Sequence, residues 1–215
     1  HSHTLFTQDE LPFELSDLPT SFSKFRRLIE PITASPPTLR PPSMPPSPSP
    51  EVASEFLKTN IHEKNSCTFE GGENAGHQHL NSYFSQKLAS SYKLTRNGLD
   101  GMDYSTKFSP WLSNGCLSVR SVIARLRDYE NDIESNDSTY WIYFELLWRE
   151  YYQWYAHKHQ SALFTFKGIS ASNPNTSFYP QRYQKWCHGN TPFPIINALM
   201  HQLNTTGYMS NRGRQ

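Results

Sequence analysis

The sequence is short of most features by which a chain declares its setting. It has three cysteines, Cys67, Cys116 and Cys187, far apart and odd in number. That fits bland thiols in a reducing, intracellular compartment better than a disulfide framework. No run approaches the roughly 20 apolar residues of a membrane span. Net charge is only +1, so nothing global favours nucleic acid or an acidic membrane, and such a partner has to be read from local clusters. The opening HSHTLFTQDELPF lacks an initiator Met, a basic n-region and an apolar h-region, so it reads as neither a signal peptide nor a natural start. Both ends are expected to be cut. His77 with His79, and His157 with His159, are spaced i, i+2, which on a helix points them to different faces, so no metal is expected. Cys187 and His188 are sequence neighbours, which is rarely how a nucleophile meets its base. No Gly-rich phosphate loop is present.

What is there suits one domain with a real core plus irregular chain: 36% of residues are hydrophobic and 14% aromatic. LPTSFSKFRRLIE, Leu18 to Glu30, spaces Phe22, Phe25, Leu28 and Ile29 for a short amphipathic helix capped by Ser21 and followed by Pro31. Eight of the fifteen residues from Pro36 to Pro50 are proline, an extended linker between two domains, with an SH3 or WW ligand as the alternative. Beyond it the spacing predicts helices over Glu73 to Leu88, Leu117 to Glu130, Ser138 to His159 and Pro194 to Asn204, with no convincing run of alternating strands. Between the first two lies a long polar loop, Tyr92 to Leu112, with turn signals at Asn97-Gly98, Asp100-Gly101 and Ser109-Pro110. Such loops are functional or disordered, and Tyr104, Phe108 and Trp111 argue against disorder.

The helix from Ser138 carries Trp141, Glu145, Trp148, Tyr152 and Tyr155 as one stripe. The bland reading is a core face whose one charge pairs with Arg149, four residues on. The functional reading gives Trp148 to a planar ligand and Glu145 to its hydrogen bonds. The loop Ser105 to Ser109, STKFS, has hydroxyls and a lysine suited either to a phosphate or to capping a helix. The stretch TGYMSNRGRQ, Thr206 to Gln215, brings together Tyr208, the amide of Asn211 and the forked cations Arg212 and Arg214.

Taken in order, TRNGLDGMDYSTKFSPWL, GCLSVR, NDSTYWIYFELLWREYY and TGYMSNRGRQ resemble the photolyase and cryptochrome superfamily, in particular its DASH-type cryptochromes. FEGGENAG and the opening TLFTQDELPF extend the likeness over most of the chain outside the linker. The fold class this implies is mainly α: residues 1–30 as the tail of an α/β antenna domain, 31–66 as a Pro-rich interdomain linker, and 67–215 as the N-terminal half of a helical FAD-binding domain. The resemblance implies FAD as cofactor, with Tyr92, Ser105, Thr106, Lys107, Phe108, Ser109, Arg149, Tyr208, Asn211 and Arg214 around it and Asn211 facing the reactive flavin nitrogen. An antenna chromophore such as a folate is implied too, its pocket mostly outside this chain. On the DNA side it implies Arg96 at a phosphate, Glu145 and Trp148 receiving a flipped-out pyrimidine dimer, and Tyr152, Asn211 and Arg212 nearby.

The activity implied is light-driven repair of cyclobutane dimers by a monomer, preferring single-stranded or looped DNA. The rival is a blue-light receptor that binds FAD, repairs little and signals through a partner protein. A third reading is a plain helical interaction module. Isolated from the rest of its domain, the stretch is expected to hold FAD poorly and to be inactive. The sequence departs from the family pattern at Pro192 after Thr191, at Asn197 where an aspartate is expected, and at Val119 in place of a proline.

Overall fold

The computed structural model describes residues 3–32 and 69–215; the Pro-rich stretch, with most of the expected linker, and Cys67 lie outside the described residues. Those described form helices and connecting turns, with no strand among them. The helices are α1 (Phe22–Ile29), α2 (Glu73–Ser85), α3 (Tyr92–Thr95), α4 (Ser109–Ser113), α5 (Val119–Asp132), α6 (Asp137–His159), α7 (Pro180–Cys187), α8 (Pro194–Thr206) and α9 (Asn211–Arg214).

The 23-residue α6 organises the rest. It starts at a capping box: Asn136 Oδ1 accepts from the amides of Ser138 at 2.8 Å and Thr139 at 3.1 Å, while Thr139 Oγ1 accepts from the Asn136 amide. His157, Lys158 and His159 occupy its last turn, where cations suit the helix dipole. Ile142, Tyr143, Leu146, Leu147, Tyr151 and Trp154 are buried. α1 lies along it, with Phe22 flat on Trp148 at 3.7 Å between ring centres and Phe25 against Tyr151 at 5.3 Å. Leu28, grouped with the apolar face of α1 by its spacing, turns outward, and Ser21 sits at the cap without a side-chain bond.

The N-terminal segment is tied to α6 by Glu150. This fully buried carboxylate accepts from the amides of Leu5 at 2.7 Å and Phe6 at 3.2 Å and from Trp154 Nε1 at 2.7 Å. α2 stops before Leu88: Lys87 takes a left-handed φ of 58°, and a 3-10 turn leads into α3. Gly76 allows α2 to approach α4 closely, since a Cβ there would stand 3.0 Å from the Trp111 ring.

Two of the departures have structural accounts. Val119 opens α5 as a buried residue behind the Ser118 cap. Asn197 accepts from the Thr191 amide and hydroxyl at 2.8 and 2.7 Å and donates to the Thr191 carbonyl, closing the turn into α8 with its own amide.

Candidate cofactor cleft

Four parts of the chain meet at one cleft of about 180 Å³, lined by Tyr92 and Arg96 from α3 and its end, Ser105 to Ser109 from the loop that runs into α4, Glu145 from α6, and Tyr208, Asn211 and Arg214 from the end of the chain. A hollow of about 130 Å³ adjoins it, sharing Lys107 and Tyr208.

The loop enters the cleft in an unusual conformation. Ser105 and Lys107 have φ of 63° and 55°, left-handed values that cost non-glycine residues about 1–3 kcal/mol each and persist where the surroundings over-determine them. Phe108 anchors the loop in the core. Lys107 is buried, its Nζ donating to the Tyr104 carbonyl at 2.8 Å and lying 5.1 Å from the Tyr208 ring. Its ammonium thus helps to hold the loop and the chain end together while it lines the cleft. Arg214 stands 5.7 Å from the same ring, its Nε donating to the Met209 carbonyl. Gly207, at φ 72°, ends α8 in the left-handed cap that turns the chain back toward the cleft.

Across the cleft Glu145 pairs with Arg96, whose guanidinium also lies 4.5 Å from the Trp141 ring. The expected i, i+4 pairing with Arg149 does not form: Arg149 instead donates to the carbonyls of His3 at 2.5 Å and Leu112 at 3.4 Å. Both acceptors come from other segments, the N-terminal stretch and α4, so Arg149 ties these to α6 rather than closing a pair along its own helix. Burial, and next the Glu145 charge, push the Tyr92 hydroxyl up to about 12, against the opposing pull of Arg96.

The cleft therefore gathers Tyr92, Arg96, Ser105 to Ser109, Glu145, Tyr208, Asn211 and Arg214, and leaves out Trp148, Arg149, Tyr152 and Arg212. Trp148 stacks on Phe22 at 3.7 Å and on Tyr152 at 5.6 Å between ring centres. Tyr152 is 59% exposed. Arg212 is exposed and donates to Gln215. The histidine pairs split as their spacing predicts: His79 turns inward to the Thr106 carbonyl, while His77 faces Glu73. Nδ1 of His188 bonds the Gln184 carbonyl.

Sequence reasoning passed over two features. Glu150 looked like any surface carboxylate beside Arg149, and only its place between two apolar neighbours in the 3.6 period hinted at burial. The second feature is charge segregation: all 19 Asp and Glu lie within residues 1–150, so the last 65 carry none, a local imbalance that the net charge of +1 hides.

A polar, cation-rich cleft walled by aromatic rings and opened among packed helices defines a helical cofactor-binding domain. Residues 141–215 match the family described as the FAD binding domain of DNA photolyase. The chain is 55% identical over 214 residues to a Cryptochrome DASH of Idiomarina loihiensis, covering 100% of this chain and 48% of that protein. The crystal structure of a Synechocystis cryptochrome superposes with a TM-score of 0.80 at 39% identity, covering 99% of this chain and 46% of that one. A class III photolyase from Agrobacterium tumefaciens shares the fold, with a TM-score of 0.68 at 21% identity over 99% of this chain and 45% of its own. The chain belongs to the DASH-type cryptochromes of the photolyase and cryptochrome superfamily. It spans about half the length of the curated relatives it matches.

The residues present fit FAD. A diphosphate brings negative charge, and the lining holds three cations, Arg96, Lys107 and Arg214, against one carboxylate, Glu145. Ser105, Thr106 and Ser109 offer hydroxyls to a phosphate or sugar chain, and Tyr92, Phe108 and Tyr208 offer rings. A volume of about 180 Å³ suits part of a dinucleotide, since whole ligands of drug size occupy roughly 300 to 1,000 Å³.

Proposed function

We propose that this chain serves FAD-dependent, blue-light-driven repair of cyclobutane pyrimidine dimers, with preference for single-stranded or looped DNA. The observation that carries the reading is the convergence of Tyr92, Ser105 to Ser109, Glu145, Tyr208, Asn211 and Arg214 on one cleft from segments more than a hundred residues apart. Reduced FAD, when bound and excited by light, supplies an electron that lets the dimer split and then recovers it.

The chain's own residues do the rest. The Ser105 to Ser109 segment, with the cations around it, holds the diphosphate end. Asn211, able both to donate and to accept, faces the reactive flavin nitrogen, with Tyr208 and Arg214 beside it. Glu145 accepts hydrogen bonds from the lesion bases, and Trp148 stacks on them. Arg96 begins on Glu145 and is free to turn to a phosphate once the lesion satisfies that carboxylate. Tyr152, Arg212 and the acid-free last 65 residues favour a polyanion. Stacking on an aromatic is worth about 1–3 kcal/mol per base, and flipping costs a few kcal/mol, least for a base already unpaired. One tryptophan therefore nearly offsets flipping in a single strand and falls short in a duplex. Residues 1–30, 31–66 and 67–215 are read as antenna tail, interdomain linker and flavin domain, with a folate-type antenna housed mainly outside them.

The test is light-dependent loss of dimers from a single-stranded oligonucleotide, using the intact natural polypeptide loaded with reduced FAD. Equal repair of duplex and single strand at matched concentration defeats the preference. Bound, reducible flavin without repair favours a blue-light receptor, and one observation already leans that way: Phe22 covers a face of Trp148, and a base has to displace it or use another face.

A further inference from the structure

The strained turn in the cleft is held from behind by a histidine that sequence reasoning weighed only as a metal ligand. Thr106 stands between two residues in left-handed backbone, Ser105 and Lys107. His79 Nε2 reaches the Thr106 carbonyl at 2.9 Å, and because a carbonyl only accepts, the imidazole carries its proton on Nε2. The ring is itself fixed. It lies over Trp111 at 4.9 Å and an interplanar angle of 26°, and stands edge-on to Phe108 at 5.8 Å. Trp111 in turn donates to the Glu70 carbonyl at 2.9 Å. From the other side the Lys107 ammonium closes the turn on the Tyr104 carbonyl.

The geometry of a trans peptide gives this contact a consequence in the cleft. In the planar unit joining Thr106 to Lys107, the carbonyl and the amide point in opposite directions. Drawing the carbonyl back to His79 aims the Lys107 amide the other way. If that unit turned over, a carbonyl lone pair would face the anion and repel it.

We propose that His79 is a positioning residue that keeps the Thr106–Lys107 peptide turned so that its amide, and not its carbonyl, meets the diphosphate of the cofactor. The proposal rests on the flavin reading for the identity of the anion. It does not depend on that reading for the state of the turn.

Two variants separate the hydrogen bond from the packing. His79→Phe keeps a flat ring on Trp111 and removes the donor, whereas His79→Gln restores a donor of similar reach. In the intact natural polypeptide free of flavin, amide hydrogen exchange over residues 105–109 should quicken about tenfold in His79→Phe, the worth of one net hydrogen bond. It should return to within about threefold of the parent in His79→Gln. FAD affinity, followed by quenching of flavin fluorescence, should fall and recover in parallel by about the same factors. Unchanged exchange in His79→Phe overturns the proposal. So does a glutamine variant as impaired as the phenylalanine one, which would assign the effect to ring packing. If exchange behaves as stated and the parent takes up no FAD, the flavin reading fails while the role of His79 in the turn stands.

Discussion

Replacing Glu150 by alanine should undock the N-terminal segment from α6, and the structure sets the size of the effect. The carboxylate is fully buried and accepts from three donors, the amides of Leu5 and Phe6 and the indole of Trp154. Alanine leaves all three without an acceptor in a site closed to water. Each buried, unsatisfied donor costs about 1–3 kcal/mol, but the three share one acceptor and relax together. A total of about 3–5 kcal/mol is therefore expected, the upper end of what single substitutions do.

Glutamine keeps one acceptor oxygen and places an amide NH2 against a donor, so Glu150→Gln should cost about 1–3 kcal/mol. The two variants also differ from the parent in pH response. Burial pushes the Glu150 carboxyl above its ordinary value, outweighing the three hydrogen bonds and Arg149. A carboxyl raised by folding contributes stability that is full below its unfolded value and is lost as pH rises through the folded one. The stability of the parent relative to Glu150→Gln should therefore grow on acidification through the carboxylate range. Urea unfolding followed by circular dichroism at several pH values measures both quantities. A loss below about 1 kcal/mol in Glu150→Ala, against the 1–3 kcal/mol of even one orphaned donor, refutes the docking argument, as does a parent advantage that grows with rising pH.

Three further outcomes are expected. Stability linked to the protonated Tyr92 hydroxyl should be full below its ordinary value of about 10 and lost as pH rises through about 12. Glu145→Gln removes one charge that raises it, so Tyr92, followed by NMR of ring-labelled tyrosine, should titrate lower; an unmoved titration contradicts the cleft geometry. Trp148→Ala should weaken single-stranded DNA binding by about 1–3 kcal/mol, whereas Phe22→Ala, which uncovers the Trp148 face, should leave it unchanged or stronger; equal losses in fluorescence anisotropy titrations make the stripe structural only. Gly207→Ala should cost roughly 1 kcal/mol of thermal stability from the left-handed cap, and a neutral result means that the end of α8 is free to move.

The helical character of the chain was legible in its residues because amphipathic spacing is a local property. α6 announces itself through the Asn136 cap and 23 residues of helix-compatible pattern, and α8 through Pro194 at its first turn and Gly207 at its end. α7 was missed: it is only eight residues long, and although Tyr183 and Trp186 share a face behind Pro180 at its start, none of its residues is buried. The cleft residues were named from motif order, which carries identity but no geometry. What the sequence by itself determined was the longer helices, the family, and the residue types brought to the cleft. Pairing was decided only by tertiary structure. Glu145 could reach Arg149 along its own helix, yet Arg96 from α3 takes it, while Arg149 satisfies carbonyls of His3 and Leu112. Lys107 closes a turn on the Tyr104 carbonyl within the cleft lining, and His79, weighed as a metal ligand, holds a carbonyl. Helical spacing lists the neighbours a side chain can have within its own turn; burial and competition among unpaired polar groups from distant segments choose among them.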